Sequence, residues 1–194
     1  RRFVRTICDM KETKHLFNDE PRGWSLKVGE AGEIILDAGM LTTGFLELQF
    51  YGGKGRTIEI IYGEQVNENV SRGNRTILTK KAVRDKLDGG VIVGYYDTVI
   101  LPGGFFYYEP FHWRTFWYIR IKVSAGNEPF ILKDATYRFT TWHQELKADY
   151  ESSDPDSRRM MEISWHTLQL CSHETYEDCP YYEQLHYIFA ARNE

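Results

Sequence analysis

Phe45-Leu46-Glu47-Leu48-Gln49-Phe50-Tyr51-Gly52-Gly53-Lys54-Gly55-Arg56-Thr57-Ile58-Glu59-Ile60-Ile61-Tyr62 sets two apolar runs on either side of a glycine cluster. In the first run Leu46, Leu48 and Phe50 recur at every second position, the period of a strand with one buried face. The second run, Thr57 to Tyr62, is β-branched and aromatic, and Gly52, Gly53 and Gly55 supply turn residues between them. Such alternation bounded by glycine predicts a β-hairpin.

Outward from this stretch the strand signals continue. Glu33 to Leu36 is short and apolar, Tyr95 to Leu101 is a further strand, and Pro102-Gly103-Gly104 turns the chain after it. Trp113 to Val123 is the longest candidate. Its alternation sets Trp113, Thr115, Trp117, Ile119, Ile121 and Val123 on one face, opposite Arg114, Arg120 and Lys122. Phe130 to Thr141 adds one more strand or pair, with Ala135, Tyr137, Phe139 and Thr141 in register. Residues Gln65 to Gly90 are polar and turn-rich and read as a long excursion. Several short strands with turns between them predict a mainly β fold, an antiparallel sandwich of the jelly-roll kind, over residues 30–148. The pattern before it is irregular, so residues 1–29 read as a leading segment or linker.

At 194 residues the chain holds one domain, or one domain and part of the next. The net charge of −4, without a basic stripe, argues against nucleic acid as a partner. No apolar run is long enough to span a bilayer, and no apolar leader opens the chain. Cys8, Cys171 and Cys179 are too scattered for a disulfide framework, and no Cys/His spacing matches a zinc site, so neither metal nor cofactor is expected. Aromatic residues make up 15% of the chain. Both a β-sandwich core and carbohydrate contact use them.

At residue 149 the composition changes. Ser152-Ser153-Asp154-Pro155 reads as a helix N-cap with proline at the first helical position. Met161, Trp165 and Leu168 follow at i, i+4 and i+7, widened by Ile163 and Leu170, which predicts a helix of four or five turns whose apolar face needs a partner. A second helix is expected after Pro180. There Glu177-Asp178-Cys179-Pro180-Tyr181-Tyr182-Glu183-Gln184-Leu185-His186-Tyr187 brings two acids, Asp178 and Glu183, among tyrosines. Two readings stay open: acids capping a helix N-terminus, or acids and rings that hold a sugar. Of the remaining groups, His173 and His186 read as hydrogen-bonding or surface residues, and Glu174 and Glu177 as solvated charges. Trp142 and His143 read as packing residues.

Ser153-Asp154-Pro155 and the run from Leu168 to Gln184, with its Asp-Cys-Pro-x-x-Glu element, resemble the start of the catalytic domain of bacterial α-L-rhamnosidases, glycoside hydrolase family 78. Gly63-Glu64, the run Asp97 to Gly103 and the run Trp113 to Tyr118 are similar to the β-sandwich that precedes that domain. The resemblance implies that residues 149–194 open an (α/α)6 barrel and that the parent protein cleaves terminal α-L-rhamnose with inversion. It places Glu183 as general acid, with Asp178 and Tyr187 as sugar-binding positions. Where the family has a further acid, this chain has Ala190. It also implies a general base beyond Glu194, so that this chain alone is inactive, with the remaining parent domains as partners and a periplasmic or extracellular bacterial setting. An inverting pair needs one protonated carboxyl and one carboxylate roughly 6.5–9.5 Å apart, with water between the base and the sugar. A helix N-terminus opposes holding that proton, whereas a neighbouring carboxylate and burial favour it. The alternative function is a non-catalytic carbohydrate-binding or interdomain scaffold module, with the acids as caps.

Overall fold

The computed structural model describes residues 1–8, 11–13, 23–72, 75–80, 83, 86–87, 90–148 and 150–191. The chain divides into two compact units, Arg1–Arg138 and Phe139–Glu194. In chain order the strands are β1 (Arg5–Cys8), β2 (Lys11–Thr13), β3 (Trp24–Leu26), β4 (Gly32–Gly52), β5 (Thr57–Gly63), β6 (Asn67–Arg72), β7 (Arg75–Lys80), β8 (Tyr95–Ile100), β9 (Phe105–Tyr108), β10 (Arg114–Val123) and β11 (Phe130–Phe139). The helices α1 (Ser157–Leu170) and α2 (Ile188–Ala191) follow. The fold is mainly β and antiparallel, as the alternation predicts.

β4 is the backbone of the first unit. Its opening half, Gly32 to Gly44, pairs with β10, and its end, Leu48 to Tyr51, pairs with β9. The strand therefore serves two sets of neighbours. Gly39, with φ of 82°, lies within the opening half, between Asp37 and Thr42, at the level where β10 shifts register between Phe116 and Tyr118. Leu46, Leu48 and Phe50 are fully buried with Ile58, Ile60, Ile119 and Ile121, and Phe130, Leu132 and Tyr137 close the same core. Phe50 and Phe130 meet at 5.8 Å between ring centroids, and Phe116 and Tyr137 at 5.4 Å.

The quoted stretch does not form a hairpin. β4 and β5 flank β10, in the order β4-β10-β5, instead of pairing with each other. Gly52, Gly53 and Gly55, with φ of 76°, 69° and 79°, carry the chain between them as an arch. A Cβ on Gly52 would stand 2.4 Å from the Pro129 carbonyl oxygen, so only glycine fits there. The arch is held by Arg56, which has no exposed surface. Its guanidinium donates to the carbonyls of Glu30 at 2.6 Å, Lys27 at 2.8 Å, Ser124 at 2.8 Å and Glu128 at 2.7 Å. Period-two spacing identifies strands but not their neighbours, and here a later strand, β10, takes the place between them.

Other expectations change in the same way. Residues 1–29 are not a bare lead: β1 pairs with β4, and β3 pairs with β11. These strands are three or four residues long, too short for a period to register. The excursion after Gln65 contains the hairpin β6–β7. In β10 the register shift breaks the expected face: Phe116 and Ile119 enter the main core, whereas Tyr118 packs with Val66 and Ile92. Trp117, at the bulge, is only partly buried.

In the second unit, α1 begins two positions later than the Ser-Asp-Pro signal suggests, with Asp156 at the N-cap position and no side-chain cap bond. Asp154 instead accepts the Asp156 N–H at 2.9 Å, which makes a turn ahead of the helix. Met161, Trp165 and Leu168 line one shallow apolar groove of this unit together with Leu146.

Candidate functional site

The helix expected after Pro180 is absent. Residues 180–183 form a turn, and α2 starts only at Ile188. The segment between closes on itself through the backbone. Asp178 N–H donates to the Leu185 carbonyl at 3.0 Å, and Gln184 N–H to the Cys179 carbonyl at 3.0 Å. The Glu183 N–H donates to Cys179 Sγ at 3.3 Å, and the Gln184 side-chain amide to the Pro180 carbonyl at 2.7 Å. Gln184, with φ of 45°, is the non-glycine residue in the left-handed region among the described residues. A left-handed residue stops helix growth after one turn, which is why the proline signal does not propagate. Nothing in single-residue propensities marks a glutamine for that conformation.

This closed loop carries two of the three residues singled out by sequence, and the third, Tyr187, follows two positions after its closure. Asp178, Glu183 and Tyr187 are all exposed. The loop brings Tyr187 to Glu183: the carboxylate of Glu183, chiefly by its charge and then by accepting a hydrogen bond from the phenol, pushes the Tyr187 hydroxyl above its ordinary range. Asp178 adds to the shift in the same direction, so its charge is also felt at the phenol. Two carboxylates and a phenol on an open face can take up the hydroxyls of a polyol, and a carboxyl there can exchange a proton with a ligand. Ala190 falls in α2, and its side chain lies outside the described residues.

The neighbouring charges differ from expectation in one respect. Glu177 is buried rather than solvated, with its carboxylate 3.3 Å from His173 Nδ1. The Glu177 N–H donates to the Cys171 carbonyl at 2.8 Å, which folds the chain back over the end of α1 and draws the side chain inward. Cys171 and Cys179 are free thiols. Among the described residues no group of three or more His, Cys, Asp and Glu side chains gathers as a metal site.

A polar cluster in the first unit escaped the sequence reading. Arg114 donates to Asp97 Oδ1 at 2.7 Å, and the Tyr108 hydroxyl to Asp97 Oδ2 at 2.9 Å, tying β8, β9 and β10 together. Asp97 and Arg114 both belong to runs quoted above for the sandwich, but their partnership across 17 residues has no local signal.

No family model matches the sequence, and no curated protein does. Among solved structures, the GH78 family rhamnosidase of Bacillus sp. GL1 is similar over 89% of this chain, with 26% identity and a TM-score of 0.65. A rhamnosidase from Klebsiella oxytoca, solved with rhamnose bound, is similar over 94% of it, with 13% identity and a TM-score of 0.61. The chain spans 17% of the length of the first and 36% of the second. The fold therefore resembles domains of GH78 rhamnosidases and indicates a glycoside hydrolase relationship.

Proposed function

We propose that residues 30–148 are the β-sandwich, and residues 149–194 the opening of the (α/α)6 catalytic domain, of a glycosidase that cleaves terminal α-L-rhamnosides with inversion. Glu183 protonates the leaving oxygen, Asp178 accepts sugar hydroxyls, and Tyr187 holds the donor and lines the site. The general base comes from elsewhere in the parent protein, which makes this chain inactive by itself. The observation that carries this reading is a closed loop that bears Asp178 and Glu183, with Tyr187 two residues beyond its closure and under the influence of both charges, in a chain 26% identical to a GH78 rhamnosidase over 89% of its length. The loop's bonds hold the backbone of Glu183 in place relative to that of Asp178, which is the first requirement for positioning a general acid.

The test is hydrolysis by the full-length protein and its Glu183→Gln variant, on an alkyl and on a nitrophenyl α-L-rhamnoside. An alkyl leaving group needs protonation and a nitrophenolate hardly does. The variant is expected to lose roughly 10²–10⁴-fold on the alkyl substrate and far less on the nitrophenyl one. Equal losses on both remove Glu183 from the acid role. Cleavage of another glycoside but not of rhamnosides removes the rhamnose assignment, and no cleavage across a panel leaves a binding module.

A further inference from the structure

Glu177 is a buried acid that the chemistry proposed above does not use. Its side chain is 7% exposed, and its Oε1 stands 3.3 Å from Nδ1 of His173, whose side chain is 6% exposed. Among the described residues Glu177 Oε2 has no hydrogen-bond partner. Removing a carboxylate from water with one oxygen unmet is costly, and an imidazolium at this distance offsets that cost. Both residues belong to the second unit and are buried within it, so the pair depends on no surface left open for other parts of the parent protein.

The pair spans the turn that leaves α1. Cys171 closes the helix, its N–H donating to the Thr167 carbonyl at 3.0 Å and the Leu168 carbonyl at 3.1 Å. Ser172 Oγ donates to the Leu168 carbonyl at 2.6 Å, and Ser172 and Tyr176 form a β-bridge. Within that bridge the His173 N–H donates to the Thr175 carbonyl at 3.1 Å, a tight turn that sets His173 beside Glu177. The Glu177 N–H donates to the Cys171 carbonyl at 2.8 Å, so Glu177 is held to the end of α1 twice, by main chain and by side chain. Asp178 follows it, exposed, with its N–H on the Leu185 carbonyl at 3.0 Å. The placement of the acidic loop relative to α1 therefore passes through Glu177.

We propose that Glu177, held inside by His173, is a positioning residue for Asp178: the buried pair anchors the acidic loop to α1 and so fixes where Asp178 meets its ligand. Without the imidazole the carboxylate is left buried and unpaired, and it escapes that state by turning out to water. One planar peptide joins Glu177 to Asp178, so that turn carries the Asp178 backbone with it. The loop itself stays closed, because the Gln184 N–H bond to the Cys179 carbonyl does not involve Glu177. The loop then moves as a body, and Asp178 loses its place without losing its neighbours. That Asp178 acts on a sugar rests on the function proposed above; the anchor does not.

The test uses the full-length protein, its His173→Gln variant and the double variant His173→Gln/Glu177→Gln. Residue-resolved amide exchange is read at Glu177 and Gln184, and KM and kcat on a nitrophenyl α-L-rhamnoside. In His173→Gln the Glu177 amide is expected to exchange about tenfold faster, with the Gln184 amide unchanged. KM is expected to rise about tenfold, with kcat within about twofold, because Asp178 serves binding. Two amides leave no buried charge, so the double variant is expected to recover exchange and KM to within about threefold of the wild type. That recovery is read on the double variant alone, so it stands even where the single variant does not fold. A double variant impaired about tenfold or more overturns the proposal. Equal acceleration at both amides means that the loop unravels, and a lower kcat at unchanged KM means fewer folded molecules; either result removes the positioning role. Faster exchange at Glu177, recovered in the double variant of a protein that cleaves no rhamnoside, keeps the anchor and discards the rhamnosidase reading. Rhamnoside hydrolysis with exchange and KM unchanged in His173→Gln discards the anchor alone.

Discussion

Asp97 stands at the crossing of three strands, and its protonation state decides whether they stay tied. Burial alone would raise its pKa. The hydrogen bond from Arg114, the Tyr108 hydroxyl and the Arg114 charge together outweigh burial and hold the carboxyl below the usual range. Burial likewise pushes up the phenols of Tyr62 and Tyr108, the latter to about 12, which keeps both protonated around the carboxylate. A folded-state pKa below the unfolded one contributes stability that is complete above the unfolded value, about 4 for Asp, and is lost as pH falls through the folded value. Asp97→Asn lacks that contribution at every pH. The gap in thermal midpoint between the wild type and Asp97→Asn is therefore expected to be widest at neutral pH and to narrow below about pH 4. A gap that stays constant from pH 7 to about pH 3 would show that the Asp97 charge contributes nothing. At this scale the sequence named Asp97 and Arg114 within suggestive runs, but it carried no sign that the two side chains meet.

Among the elements, the arch from Gly52 to Arg56 separates local from distant constraints. Gly52 and Gly55 share the left-handed backbone, so alanine at either costs about 1–2 kcal/mol. At Gly55 nothing stands within 4 Å of an added Cβ, whereas at Gly52 the Pro129 carbonyl is 2.4 Å away. Gly52→Ala is expected to lower the urea midpoint clearly further than Gly55→Ala. Equal losses would mean that the arch yields and that its closeness to Pro129 is immaterial. The strands around this arch were legible because burial of one face imposes a period of two on neighbouring residues. Their pairing order was not, because β10 enters between β4 and β5 from more than 50 positions downstream of β5. The loop of Asp178 and Glu183 shows the same limit. Its acids and tyrosines could be picked out by type, yet its shape follows from the left-handed Gln184 and from backbone bonds such as Asp178 to Leu185, which propensity does not encode.

For the molecule as a whole, the buried guanidinium of Arg56 sets an order of events. Its carbonyl partners lie 26, 29, 68 and 72 residues away along the chain. Until Lys27, Glu30, Ser124 and Glu128 have all arrived, the cation is better served by water, because a guanidinium stripped of water with only some of its partners is costly. Its dehydration therefore belongs to the last stage of assembly, after loops of that length have closed. A side chain that locks only after the rate-limiting barrier slows escape from the native state without hastening arrival. Arg56→Met keeps the stem and removes the donors, with an expected loss of about 2–4 kcal/mol. In stopped-flow denaturant jumps on the intact protein, nearly all of that loss is expected on the unfolding limb, roughly a hundredfold acceleration, with refolding almost unchanged. Slower refolding by the same factor would instead place Arg56 in the nucleus. On this view Arg56 acts as a latch: it sets how long the sandwich lasts once formed.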